Sequence, residues 1–184
     1  MITTTKYQYS TGFTLIELLI TLAIAAISLF IAVPSLQQNL NSNRLTTQAN
    51  SLISSFYSTR SEAIKRNTRV TMRKSGTDWK NGWIIFTDGN NNALFDAALG
   101  EKLLNQSSAL TGGNTLHGNR FVRDYISYTG DGGSRSKTGA FQAGTLMLCD
   151  HTGLSDPKHA RAIIIGSSGR PRTSTQVRDL KRCG

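Results

Sequence analysis

Two arginines flank a proline near the C-terminal end, in Gly169-Arg170-Pro171-Arg172. Pro171 fixes its own φ and pushes Arg170 towards an extended conformation. In an extended chain, residues two apart point the same way and sit about 6.6 Å apart. Arg170 and Arg172 then present two guanidinium forks on one face. A nucleic-acid strand carries a phosphate about every 3.4 Å along its axis, so two such forks can grip nearby phosphates without reading bases. From Pro157 to Gly184 the basic residues are Lys158, Arg161, Arg170, Arg172, Arg178, Lys181 and Arg182, and the acid is Asp179. Over the whole chain Lys and Arg number 21 against 11 Asp and Glu, a net charge of +10. That excess suits an anionic partner such as nucleic acid or a surface polymer. The competing reading of the tail is a surface turn with ordinary solvated arginines.

Other constellations carry less chemistry. A second basic group, Arg60, Lys65, Arg66, Arg69, Arg73 and Lys74 with Glu62 among them, spans a helix end and the strand after it. Cations are favoured there by the helix dipole, which is reason enough for most of them. Asp88-Gly89-Asn90-Asn91-Asn92 resembles the start of a calcium loop. It lacks the glycine and the glutamate such a loop needs, having Ala93 and Leu99 there, although Asp96 and Glu101 carry oxygens. A plain hairpin turn is the better reading. His117, His151 and His159 do not combine with the cysteines at metal-ligand spacing, so no metal or cofactor is expected. No nucleophile elbow, paired carboxylate or phosphate loop is visible, and the chain reads as a protein without catalytic residues.

The remaining charge that asks for an explanation is Glu17. It sits alone in an apolar run from Phe13 to Val33. As a helix that run is about 31 Å long, close to the roughly 30 Å core of a bilayer. A carboxylate inside it costs about 2.5–3.5 kcal/mol on insertion scales. An amine and a carboxylate both held in lipid offset each other's desolvation by pairing. The other reading is a signal anchor with a stray Glu near the membrane face. A secretory signal would place its small-residue cut site after the apolar run; here the small residue, Gly12, precedes it.

These residues must be positioned by a long helix and a set of strands. Beyond Pro34, which bends a helix without ending it, Leu36, Leu40, Leu45, Ala49, Leu52, Ile53, Phe56, Ala63 and Ile64 form one apolar stripe. The pattern predicts a helix from about Phe13 to Arg66, apolar all round at first and then amphipathic, laying its stripe against a sheet. Strands are predicted at Val70–Arg73, Trp83–Phe86, Arg120–Val122, Tyr125–Tyr128, Gly144–Cys149 and Ala160–Ile165, separated by Gly-, Ser- and Asn-rich stretches. About 150 residues lie outside the apolar run, enough for one globular domain.

Gly12-Phe13-Thr14-Leu15-Ile16-Glu17 closely resembles the type IV prepilin signal. The resemblance implies that prepilin peptidase cuts after Gly12 and methylates Phe13, and that Glu17 pairs with the N-terminal amine of a neighbouring subunit in a filament. Tyr57 to Arg66, followed by Trp79-Lys80-Asn81-Gly82-Trp83-Ile84-Ile85-Phe86-Thr87-Asp88, resembles the GspH/FimT group of minor pilins and pseudopilins. The implied fold is α+β: a long N-terminal helix packed on an antiparallel β-sheet head. The implied divisions are a leader at 1–12, a transmembrane and assembly helix at 13–33, its amphipathic continuation at 34–66 and a β-rich head at 67–184. The implied localisation is the inner membrane with the head in the periplasm, then the pilus filament.

An exported head lies in an oxidising compartment, where Cys149 and Cys183 are expected to pair. The closed loop of about 35 residues is worth roughly 3.5–4 kcal/mol in the chain-entropy model. Gly169-Arg170-Pro171-Arg172 matches a G-R-x-R motif linked to DNA binding in FimT-type minor pilins of naturally transformable bacteria. The expected role is therefore electrostatic capture of extracellular DNA for uptake. The alternatives are a GspH-like pseudopilin priming a secretion filament and a minor pilin serving only assembly or adhesion.

Overall fold

The computed structural model describes residues 12–183. The expected leader therefore lies outside the described residues except for Gly12. The chain falls into two compact units, one ending at Leu40 and one beginning at Asn41.

A single helix, α1, spans Leu15–Arg66. Its first turn is closed by a capping box. The Thr14 hydroxyl accepts from the Glu17 amide at 3.3 Å, and the Glu17 carboxylate accepts from the Thr14 amide and hydroxyl, each at 2.9 Å. The helix starts two residues later than the periodicity predicts because Thr14 acts as the cap. Pro34 lies inside it without ending it. At the other end Asn67 takes a left-handed conformation, φ 48°. The Asn67 amide returns to the Ile64 carbonyl and the Thr68 amide to the Ala63 carbonyl, both at 3.2 Å, the double closure that lets an asparagine stop a helix.

In the first unit every described side chain is exposed, including all those of the apolar run. In the second unit α1 buries Leu45, Ala49, Leu52, Phe56, Thr59 and Ala63, at steps of three and four. Leu36 and Leu40, expected on that stripe, are 59% and 54% exposed, and Ile64 also faces out. The first two precede the unit that contains the sheets, and Ile64 sits off the buried line.

Two four-stranded antiparallel sheets complete the second unit. One comprises β1 (Val70–Lys74), β2 (Trp83–Thr87), β3 (Leu103–Ser107) and β5 (Tyr125–Tyr128), in the order β3-β2-β1-β5. The other comprises β4 (Thr115–Gly118), β6 (Gly144–Cys149), β7 (Ala160–Ile165) and β8 (Pro171–Ser174), in the order β4-β6-β7-β8. Met72 stands opposite both Ile85 and Ile126, so the centre of the first sheet is apolar. These side chains join the helix stripe and Leu146, Leu148, Ile163 and Ile165 in one core. Two buried indoles find acceptors: Trp83 donates to Ser55 Oγ at 3.0 Å and Trp79 to the Val122 carbonyl at 3.1 Å.

The expected strand at Arg120–Val122 is instead a turn, with the Val122 amide bonded to the Asn119 carbonyl at 3.0 Å. Its one buried hydrophobe, Val122, plugs the core from a loop. Three strands lie where none was expected: β3, β4 and β8. Each is an outer strand of its sheet, and such strands carry polar residues that blur alternation.

Strand β6 is buried on both faces. Leu146 and Leu148 face the main core, whereas Met147 and Cys149 join Ala160, Ala162 and Leu180 in a second, smaller cluster. The C-terminal tail thus covers the outer face of the second sheet. The Cys149–Cys183 disulfide fixes it there, closing a sequence separation of 34.

Candidate functional site

The turn that carries the arginine pair joins β7 to β8. The Gly169 amide bonds to the Gly166 carbonyl at 2.9 Å. Gly169 has φ +75°, and a Cβ there would lie 2.9 Å from the Tyr128 ring, 3.0 Å from the Ser134 amide nitrogen and 3.1 Å from the Gly132 carbonyl oxygen. Only glycine supplies both the left-handed backbone and the close approach. The turn is therefore seated on the 128–134 segment. Arg170 leaves it exposed, Pro171 is buried opposite Ile165, and Arg172 is exposed opposite Ile164. The alternation places both arginines outward. The helix adds support from beneath: the Tyr57 hydroxyl donates to the Pro171 carbonyl at 3.3 Å, and Arg60 Nε donates to the Gly132 carbonyl at 2.8 Å.

Arg172 is not a free fork. Its Nη1 and Nη2 each lie 3.4 Å from Asp179 Oδ2, the same oxygen that accepts from Ser174 Oγ at 2.7 Å. The Ser174 hydroxyl, aided by the Arg172 and Arg178 charges, holds the Asp179 carboxyl below the usual carboxylate range. The Arg172 side chain is 58% exposed. A pair this open to solvent is weak and screened by salt.

The other tail cations separate into different situations. Arg161 is tied inward, with Nη1 donating to the Pro157 and Ala160 carbonyls at 2.7 and 2.9 Å. Its Nη2 reaches Thr46 Oγ1 at 3.4 Å, and burial draws its pKa downward. It holds a loop against α1 beside a cavity of about 170 Å³. Lys158 and Arg178 are exposed. Lys181 and Arg182 flank a cleft of about 300 Å³ with His117, Asn119 and Thr145, on the β4–β6 side of the sheet. The tail cations are thus spread from one edge of the second sheet towards the other and do not form one cluster about Arg170.

In the second basic group each member has a partner. Arg66 and Lys65 approach Glu62 at 2.6 and 3.9 Å, and Lys74 pairs with Asp124 at 2.9 Å. Arg69 donates to the Arg135 and Ser136 carbonyls and Arg73 to the Ala93 carbonyl. Arg60 alone lies beside the arginine turn, through Gly132.

Asp88 is buried and its carboxylate accepts from Thr71 Oγ1 at 2.7 Å and from the Asn92 and Ala93 amides, each at 3.1 Å. Asp96 and Glu101 likewise accept from the Ala98 and Asp96 amides. The expected plain hairpin turn is the start of a longer connection that reaches β3 only at Leu103. The residues that build the seat of the arginine turn, Tyr57, Tyr128, Gly132 and Ser134, and its counter-charge Asp179, left no signature in the sequence because their meeting depends on distant strands.

The family model described as type II transport protein GspH matches residues 48–169. That of the prokaryotic N-terminal methylation motif matches residues 8–33. No curated protein matches the chain in sequence. Two crystal structures of the type IV minor pilin FimU from Pseudomonas aeruginosa, strain PAO1, are similar in fold. One aligns with a TM-score of 0.62 at 18% identity, covering 77% of this chain and 96% of that chain. The other aligns with a TM-score of 0.57 at 19% identity, covering 76% and 99%. A long N-terminal helix packed on antiparallel sheets is the fold they have in common.

Proposed function

Since this chain belongs to the GspH family and carries the N-terminal methylation motif, we propose that it is a FimT-type minor pilin that binds extracellular DNA for uptake in natural transformation. Prepilin peptidase cuts after Gly12 and methylates Phe13; both residues are exposed. The helix from Phe13 holds the subunit in the inner membrane with its head in the periplasm. Other pilin subunits then draw it into a filament at the cell surface. During that transfer Glu17 exchanges its bonds to Thr14 for the N-terminal amine of a neighbour, which offsets the desolvation of both charges.

The single observation that carries the DNA reading is the outward pair Arg170 and Arg172 on a turn locked by Gly169 and seated on the core. Because the Gly169 turn and the pairing of β8 with β7 hold the pair in place, little ordering is needed on binding. Lys158, Arg178, Lys181 and Arg182 add to the field that draws a polyanion in; Arg161 acts from within by holding the loop. The mechanism is electrostatic, with no chemistry done on the DNA.

The test is the salt dependence of duplex binding by the full chain in detergent micelles. The logarithm of affinity should fall with the logarithm of salt concentration, and Arg170→Ala with Arg172→Ala should make that slope shallower by about 2. A salt slope unchanged by the double substitution removes these arginines from the interface. The second reading, a structural minor pilin or GspH-like pseudopilin without DNA, is favoured by the engagement of Arg172 with Asp179. It predicts no measurable binding.

A further inference from the structure

Beside the arginine turn lies a group of aromatic and basic side chains that the core does not use. Phe141 is 64% exposed, and the Arg135 guanidinium carbon sits 4.1 Å from its ring centre. Lys137 Nζ lies 5.8 Å from the ring centre of Tyr125, and the Lys137 amide donates to the Tyr125 hydroxyl at 3.0 Å. Backbone pairing of Arg135 with Phe141 sets the first stack. The buried Gln142 fixes the region from below, donating to the Phe121 and Tyr125 carbonyls at 2.9 and 3.0 Å and accepting from the Ser127 amide at 3.1 Å. Ser134, whose amide nitrogen forms part of the seat of Gly169, is the residue before Arg135. The backbone that carries Arg135 therefore adjoins the turn that presents Arg170.

The chemistry of this patch is specific. An aromatic ring with a guanidinium on one face offers a polarised, rigid surface for another π-system. Its nearby acids are engaged: Asp131 accepts from Thr129 and Gly133, and Asp124 pairs with Lys74 and Arg123. Arg135, Lys137 and Arg170 leave the local balance positive. An anionic chain that also carries free aromatic faces fits this surface. A duplex keeps its base faces stacked inside, whereas a single strand presents them. Aromatic side chains interleaved with cations are how proteins hold single strands without reading sequence.

We propose that Phe141–Arg135 and Tyr125–Lys137 form a base-stacking platform that adds base contacts to the arginine turn's hold on single-stranded DNA. The proposal rests on the DNA-binding reading of the tail. It is tested with the full chain in detergent micelles by fluorescence anisotropy on three probes: oligo(dT) of about 20 nucleotides, an abasic deoxyribose-phosphate strand of the same length, and a duplex, a length that exceeds the site of one small domain. The wild-type chain should bind oligo(dT) at least about fivefold more tightly than the abasic strand, the lower bound for one stacked base. Phe141→Ala should shrink that difference, Tyr125 keeping the remainder, and leave duplex affinity within about twofold, since it removes no charge. Phe141→Trp should retain the difference, separating stacking from mere disruption. Equal wild-type binding of oligo(dT) and the abasic strand, or a Phe141→Ala chain that keeps the difference undiminished, overturns the platform. If duplex is bound through Arg170 and Arg172 while no base contribution appears, the platform alone falls. If none of the three probes binds, the DNA-binding reading falls with it.

Discussion

At the N-terminal end one carboxylate, Glu17, sits in an apolar run whose side chains are all exposed. At the C-terminal end one carboxylate, Asp179, sits beside Arg172 and Arg178 on a tail stapled to the head. Both are satisfied locally. Glu17 closes a helix cap with Thr14, and Asp179 takes the Ser174 hydroxyl and the Arg172 fork. The difference lies in what replaces those bonds. In lipid the cap leaves a net charge unmatched, so Glu17 gains greatly from an opposite charge. At the aqueous surface the Asp179 pair is weak and screened, so on the proposed function it would yield readily to a phosphate. On the proposed function, one end makes a strong exchange once and the other a weak exchange repeatedly.

The largest effect should come from the first of these. Glu17→Ala should still be cut after Gly12, yet its incorporation into filaments should fall at least about tenfold, because losing one partner of a desolvated pair costs roughly 3–5 kcal/mol. Immunoblots of sheared filaments against whole cells read this out; normal incorporation would break the comparison at its N-terminal side. Next is the staple. Cys183→Ser, at the partly exposed end of the bridge, should lower the unfolding free energy by roughly 3.5–4 kcal/mol in denaturant melts. The loss should match that of the reduced wild-type chain.

Smaller effects bear on the turn. Gly169→Ala should destabilise by at least about 1–2 kcal/mol, since an alanine at φ +75° is strained and its methyl meets backbone at Gly132 and Ser134. A neutral result in the same melts would mean that the 128–134 seat gives way easily. The smallest effect belongs to the counter-charge. Asp179→Asn should raise duplex affinity by no more than about fivefold, the worth of one exposed ion pair. A fall in affinity would show that Asp179 positions Arg172 and does not compete for it.

How much of this was legible differs between the two ends for physical reasons. The helix announces itself through an uninterrupted apolar run and then a three-and-four stripe, and five strands carry β-branched or aromatic runs. The polar outer strands β3, β4 and β8 do not, and Arg120–Val122 looks like a strand because one buried valine suffices to imitate a short apolar alternation. In the site, the charges of the tail could be counted from composition. Their distribution across the second sheet could not, because it depends on Leu180 and Cys183 docking onto β6 and β7. Gly169 reads as a turn glycine from its neighbours; the close approach of Tyr128, Gly132 and Ser134 comes from pairings far along the chain.

The claim that the two ends hold separate tasks is tested most directly by one measurement, duplex-DNA affinity of three full-length chains in detergent micelles. Wild type and Glu17→Ala should bind alike, whereas Arg170→Ala with Arg172→Ala should bind at least about tenfold more weakly at moderate salt, as expected when two phosphate contacts are lost. Equal affinity for the wild-type and double-arginine chains would contradict the account.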